Sequence, residues 1–276
     1  MTFEEKRGAL NAINLIKEKR DGTIKGRCVA NGRKQRGLYA KEETASPTIS
    51  NDAMMMSLII DAMEARDVAI ADVKGAYLLA DMKGFVLLKM SGESVDILCK
   101  VNSKYRQFVV EERGKKVIYL RLLKALYGCV QSALLWYQLI TSKLVEMGFE
   151  LNPYDECVAN KMINGKQCTM GFWVDDNKIS HEDPRVVSDV IEQLEKYFGK
   201  MVVTRGRDHS FLGMELSFKD NNTVHVSMKQ LCKEAIEAFD EDLRESATTP
   251  AKKGLFTVKD NEEALDDEKR SGSIAS

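Results

Sequence analysis

The sequence predicts an α+β fold in which antiparallel hairpins, rather than regular βαβ units, build the sheets. Three observations carry this. Turn clusters at Asp21-Gly22, at Asp175-Asp176-Asn177 and at Asp220-Asn221-Asn222 each separate two strand-like runs. Helical patterns fall between them at irregular intervals. The chain has 276 residues, 44% of them apolar, which is enough for a real core.

In chain order, residues 14–19 and 23–30 read as a hairpin about Asp21-Gly22. Residues 32–48 are polar and loop-like, with Pro47 near the end. Ser50 or Asn51 caps a helix running to about Ala65. Residues 68–71 form a short buried strand that ends on Asp72. Gly75 follows, and residues 76–80 look like the start of a helix. Residues 86–90 are a strand, and residues 117–122 are another that leads into a long helix to Met147, stopped by Gly148. Strands at 167–174 and 178–180 flank the Asp175-Asp176-Asn177 turn. Pro184 opens a helix to about Phe198, and Gly199 ends it. Residues 211–218 and 223–227 form a further hairpin, and residues 228–239 a last helix. A polar tail follows from Glu241, and no internal repeat is visible.

The net charge of −1 conceals an asymmetry. Residues 17–41 carry nine Lys/Arg against two acids, whereas residues 234–269 carry twelve acids against five bases. The basic stretch, with Lys25, Arg27, Arg33, Lys34 and Arg36, suits phosphate neutralisation or simply a solvated loop. The six cysteines include no Cys-x-x-Cys pair and the three histidines stand apart, which argues against structural zinc and for reduced thiols in an intracellular protein. No run of about 18 apolar residues is present, and the charged start lacks the apolar core of a signal peptide.

Acids stand where core strands should continue. Asp72 closes one apolar strand, and Asp175 and Asp176 sit at the tip of a hairpin whose first strand carries Met170, Phe172, Trp173 and Val174. Taken singly these are a strand terminator and a plain turn. Taken together, three converging carboxylates repel one another unless a cation offsets them. They then form a hard oxygen site for Mg²⁺, with substrate phosphates as further ligands. Two such ions about 3.5–4 Å apart activate an attacking hydroxyl and stabilise a leaving oxygen.

Six segments in order resemble the reverse transcriptase domain of copia-type LTR retrotransposons (the Pseudoviridae group). Lys25-Gly26-Arg27-Cys28-Val29-Ala30-Asn31-Gly32 is similar to that family's Lys-Ala-Arg-Leu-Val-Ala-x-Gly. Ala45-Ser46-Pro47-Thr48 resembles Phe-Ser-Pro-Val, and Asp72-Val73-Lys74-Gly75-Ala76-Tyr77-Leu78 resembles Asp-Val-Lys-Thr-Ala-Phe-Leu. Lys124-Ala125-Leu126-Tyr127-Gly128 followed by Gln131, Trp136 and Tyr137 resembles the Lys-Ser-Leu-Tyr-Gly segment. Val174-Asp175-Asp176 resembles Val-Asp-Asp, and Phe211-Leu212-Gly213-Met214-Glu215-Leu216 resembles Phe-Leu-Gly-Ile-Glu-Ile. The chain departs from the pattern at Ala133, where the family carries proline, at Val130 and at Trp173.

The resemblance implies a right-hand polymerase fold: fingers about 1–66 and 85–120, palm about 67–84 and 121–218, and a partial thumb about 219–240. Residues 241–276 would be an acidic tail, a truncated connection to the next family segment. The expected reaction is RNA-directed DNA synthesis, in which a primer 3′-hydroxyl attacks the α-phosphate of a deoxynucleoside triphosphate. Asp72 and Asp175 would bind two Mg²⁺ ions (Mn²⁺ as a substitute), with the Val73 carbonyl as an added ligand and Asp176 assisting. Lys25 and Arg27 would reach the triphosphate. Tyr77 would pack beneath the sugar and exclude a 2′-hydroxyl. Gln131 would lie near the nucleotide or template. Arg33 and Lys34, with Phe211, Leu212, Gly213 and Met214 as a primer grip, would hold primer and template. Trp136, Tyr137 and Met54–Met56 are expected in the core. The expected partners are an RNA or DNA template with primer and deoxynucleotides, with no membrane, in a cytoplasmic particle or the nucleus, as a dimer or part of a polyprotein. Two alternatives stand beside this reading: a catalytically decayed remnant that binds nucleic acid without polymerising, and another two-metal nucleotidyl transferase.

Overall fold

The computed structural model describes residues 1–18 and 22–238. The chain divides into two compact units, Met1–Leu231 and Cys232–Ser276. Asp21 of the first expected turn, Phe239 and the acidic tail lie outside the described residues.

A short helix, α1 (Phe3–Gly8), precedes the hairpin β1 (Leu10–Glu18) and β2 (Ile24–Ala30), paired in antiparallel register from Ala12–Ala30 to Glu18–Ile24. Helix α2 (Asn51–Met63) is capped by the Ser50 hydroxyl, which accepts from the Ala53 N–H at 3.2 Å. Strand β3 (Asp67–Asp72) follows and ends on Asp72, and a single 3₁₀ turn covers Ala76–Leu79. Strand β4 (Leu87–Ser91), helix α3 (Glu93–Val101), β5 (Val110–Glu112) and β6 (Lys115–Arg121) come next. Together β2-β1-β4-β6-β5 form one sheet, antiparallel except for the β1–β4 pair.

Helix α4 (Ser132–Glu146) leads to β7 (Glu150–Asn152), β8 (Asp155–Ile163), β9 (Lys166–Trp173) and β10 (Asp176–His181). Helix α5 (Pro184–Phe198) has Asp183 as its cap, accepting from the Arg185 N–H at 2.9 Å, proline in the first turn and Gly199 at φ 77° as its stop. Strand β11 (Val202–Arg205) closes a second sheet, β11-β3-β10-β9-β8-β7, antiparallel throughout. The third sheet is β12 (Asp208–Phe211), β13 (Met214–Phe218) and β14 (Val224–Ser227), and α6 (Lys229–Glu237) is the last described element.

The core lies on the second sheet. Val187, Val190 and Leu194 of α5, Trp136, Ile140 and Leu144 of α4, and Leu58 of α2 bury against Ala69, Ile179 and Met170. Each large aliphatic side chain so buried contributes about 1.5–3 kcal/mol. The α+β class with hairpin-built sheets is as expected.

Four local expectations are corrected. Of Met54–Met56, expected in the core, only Met54 is buried, and Met55 and Met56 are exposed on α2. The strand at 117–122 does not run into a helix: α4 starts only at Ser132, because Gly128 takes φ 89° where the chain presses against the first hairpin. A Cβ on Gly128 would meet the Ala30 carbonyl oxygen at 1.9 Å. Residues 211–218 are not one strand, since Leu212 (φ 50°) and Gly213 (φ 77°) fold them into the β12–β13 turn. The carboxylate hairpin turns at Val174-Asp175 rather than at 175–177, so Asp176 and Asn177 belong to β10. Helix α3 and strand β8 are additions to the expected elements.

Candidate active site

Strands β3 and β10 are neighbours, and their register places Asp72 directly opposite Asp176. Cross-strand partners share one face of a sheet, so these two carboxylates face each other at the end of the ladder. Asp175 occupies the turn beside them. Its carbonyl accepts a 3.0 Å hydrogen bond from the Val73 N–H, which stitches the residue after Asp72 to the tip of the β9–β10 hairpin. Residues more than a hundred positions apart in sequence thus meet, as the sequence reading required.

The turn is strained. Val174 has φ 53°, a left-handed conformation that a β-branched residue rarely adopts. The Trp136 indole N–H on α4 donates to the Val174 carbonyl at 2.6 Å and holds it there, while the ring packs edge-on against Phe198, centroids 5.1 Å apart. Trp136 is a core residue, as expected, yet its polar atom serves the carboxylate turn.

The electrostatics are those of like charges gathered without full compensation. Partial burial lifts the Asp72 carboxyl above its ordinary range, Asp175 lifts it further, and the ammonium groups of Lys25 and Lys74 pull it back. Burial, then Asp175 and Asp72, raise Asp176. Among the described residues, no three His, Cys, Asp or Glu side chains are already arranged to hold one ion. The donor set is nevertheless hard oxygen with an excess of negative charge, which suits a divalent cation of the Mg²⁺ class.

Aromatic and basic groups surround the carboxylates. Tyr77, just past β3, lies 4.5 Å from the Tyr127 ring, centroid to centroid. Burial and then Asp175 push both phenols above their usual range, so both rings border the acidic cluster. The Arg27 guanidinium lies 5.7 Å from the Tyr127 ring centroid. Lys25 and Arg27 are both exposed on β2. The first hairpin is tied to the segment before α4, where the Tyr127 carbonyl accepts from the Ala30 N–H at 2.8 Å.

Other expected site residues are placed differently. Gln131 is buried at the start of α4, with its side-chain carbonyl unpartnered. Lys34 donates to the carbonyls of Arg7 and Ala9, each at 2.9 Å, while Arg33 is exposed on the same 3₁₀ turn. The Phe211 and Met214 side chains are buried in the core and Leu212 packs partly buried against it, which leaves Gly213 as the exposed residue of the turn. Three contributors were not anticipated. Tyr127 stands in the sequence only as the aromatic of the Lys124–Gly128 motif. Asn177, fully buried, donates to the carbonyls of Ala71 and Asp175. Lys178 forms a wholly buried ion pair with Asp61 of α2, directly behind the hairpin. No local pattern in the sequence signals the Lys178 pair, which joins β10 to α2 across 117 residues.

The family model described as reverse transcriptase (RNA-dependent DNA polymerase) matches residues 12–253. The Transposon Ty1-LR2 and Ty1-ML2 Gag-Pol polyproteins of Saccharomyces cerevisiae are each 25% identical over 268 residues. The alignments cover 94% of this chain and 14% of each polyprotein, so the chain spans a small fraction of these relatives. A foamy viral protease–reverse transcriptase solved in complex with double-stranded DNA is 15% identical with a TM-score of 0.42, covering 86% of this chain and 35% of that one. No helix among the described residues is long and apolar enough to cross a membrane.

Proposed function

This chain belongs to the copia-type reverse transcriptase (RNA-dependent DNA polymerase) family, and we propose that it extends a primer on an RNA or DNA template, using Asp72, Asp175 and Asp176 as its catalytic carboxylates. The observation that carries the reading is the register that sets Asp72 opposite Asp176 with Asp175 bonded to Val73.

Asp72 and Asp175 would hold two Mg²⁺ ions, or Mn²⁺, with the Val73 carbonyl beside them and Asp176 assisting. The excess negative charge on which Asp72 and Asp176 agree supports that assignment. When bound, the ions supply activation of the primer 3′-hydroxyl and neutralisation of the departing pyrophosphate.

The remaining work is positioning and charge. Lys25, whose charge acts on Asp72, and Arg27, beside the Tyr127 ring, are both exposed on β2, where they can donate to a triphosphate. Tyr77, braced against Tyr127, is suited to pack under the deoxyribose and clash with a 2′-hydroxyl. Arg33 and the Leu212-Gly213 turn remain candidates for primer–template contact, and Gln131 acts from within the base of α4. In family terms the first sheet makes the fingers, the second the palm, and residues from about 219 the start of a thumb. The parent protein would be a Gag-Pol-type polyprotein working in a cytoplasmic particle or the nucleus, and the domain would act alone or as a dimer.

Primer extension on poly-rA/oligo-dT with Mg²⁺ or Mn²⁺ tests the proposal. Incorporation that disappears with chelator and in Asp175→Asn is the expected result. A folded chain that binds primer–template and incorporates nothing with either ion overturns it in favour of a non-polymerising remnant.

A further inference from the structure

We propose that Asn177 is a positioning residue, whose side-chain amide sets the separation between the Asp72 strand and the Asp175 turn by donating one hydrogen bond to each. The inference rests on the polymerase reading only in what the separation is for. The Asn177 Nδ2 donates to the Ala71 carbonyl at 3.0 Å and to the Asp175 carbonyl at 2.8 Å. The same Asp175 carbonyl accepts from the Val73 N–H at 3.0 Å. Asp72 lies between Ala71 and Val73, so the two residues flanking it are both tied to the carboxylate turn, one of them through Asn177.

A role in stability alone does not account for an amide here. Asn177 is fully buried, and its Oδ1 has no hydrogen-bond partner. An unpartnered buried carbonyl is a cost that an apolar side chain of similar shape avoids. The amide makes chemical sense through its two donated bonds, and both fall on the backbone that carries the carboxylates. Val174, at φ 53° one residue before Asp175, shows that this backbone does not rest in its preferred conformation and needs such restraint.

The test compares the full chain with Asn177→Leu, which keeps the size and removes both donors. Three quantities are measured: thermal stability, steady-state kinetics of primer extension, and amide hydrogen exchange at Val73. Groups that orient ligating carboxylates typically govern activity by about 10–100-fold when removed. The expected result is a folded variant whose kcat falls by about that factor. KM for the deoxynucleotide and affinity for primer–template stay unchanged, and the Val73 amide exchanges faster while Ile179, in the same sheet, stays protected. Wild-type kcat overturns the positioning role even if exchange quickens. A lowered kcat with unchanged Val73 exchange overturns the clamp. If Asn177→Leu does not fold, Asn177→Ser takes its place. It keeps one donor and should show a smaller change in the same two quantities, and wild-type values of either overturn the proposal. If the unsubstituted chain extends no primer, the polymerase reading fails and exchange at Val73 alone decides the clamp, faster exchange supporting it and unchanged exchange overturning it.

Discussion

The Trp136 indole N–H donates to the Val174 carbonyl at 2.6 Å, so a helix in the core holds the strained residue of the carboxylate turn. Trp136→Phe keeps an aromatic ring against Phe198 and removes the donor. Leaving the carbonyl unpaired costs about 1–3 kcal/mol. The expected outcome is a folded protein with a lower melting temperature and primer extension reduced about tenfold, read by thermal denaturation and single-nucleotide incorporation. Full activity would show that the turn holds its shape without the indole.

The Lys178–Asp61 pair is the second support behind the hairpin, with both side chains fully buried and Arg66 3.9 Å from the other Asp61 oxygen. Breaking a buried pair from one side strands a charge, which costs about 3–5 kcal/mol. Lys178→Met should therefore be strongly destabilised in urea titration, and Lys178→Met combined with Asp61→Leu should recover much of the loss. A double variant no better than the single would assign the cost to packing instead.

Why some of this was legible and some was not follows from particular residues. Pro184 and Gly199 state the limits of α5 locally, and the structure places them where those signals do. The carboxylate pairing was legible because apolar strands ending in acids are unusual, and an ordered set of motifs linked the two. The turn itself was misplaced by one residue because Val174 takes a left-handed conformation that turn chemistry assigns to Gly or Asn. Leu212 hid the β12–β13 turn in the same way. The partners of Asn177 and Lys178 were not legible at all. They are set by contacts between β10, β3 and α2, over sequence separations that no local pattern reports.

A prediction about charge follows from the exposed basic strand. Lys25 and Arg27 are free to meet phosphate, whereas Lys34 is occupied by two backbone carbonyls. Binding to primer–template should weaken with salt by about 0.7–0.9 log units per log unit of salt for each phosphate neutralised. Lys25→Gln with Arg27→Gln should flatten that slope, and Lys34→Gln should instead lower stability. Fluorescence anisotropy across a salt series reads the slope, and a slope altered by Lys34→Gln alone would reverse the assignment.

Activity and stability should move in opposite directions at Asp72. Its carboxyl is raised above the ordinary carboxylate range by burial and by Asp175, so the folded, metal-free chain binds the proton more tightly than the unfolded chain. Stability then falls as pH rises from the ordinary aspartate value through the raised one, and stays lower above it. Asp72→Asn removes the like-charge partner of Asp176, a cross-strand effect of about 0.2–1 kcal/mol. The variant should melt slightly higher than the parent at neutral pH in chelator, decline less steeply with pH than the parent because Asp176 remains raised by burial, and incorporate at least about 10²–10³-fold more slowly. A melting temperature below that of the parent would show that the Asp72 carboxylate is compensated within the protein itself.

Tyr77 separates a sugar gate from simple packing. Its ring rests on Tyr127 at 4.5 Å, and Asp175 acts on its phenol, so it lies within reach of whatever occupies the carboxylate end of β3. If it packs beneath the deoxyribose, Tyr77→Ala opens room for a 2′-hydroxyl and leaves the carboxylates intact. Rejection by steric exclusion is a difference between two substrates, so the informative quantity is the ratio of kcat/KM for a ribonucleotide to that for the matching deoxynucleotide. That ratio should rise at least about tenfold, with deoxynucleotide incorporation retained. Tyr77→Phe keeps the ring and should leave the ratio where it was, because the gate is volume and not the hydroxyl. An active Tyr77→Ala chain with an unchanged ratio would return Tyr77 to the core, as a brace for Tyr127 and the first hairpin.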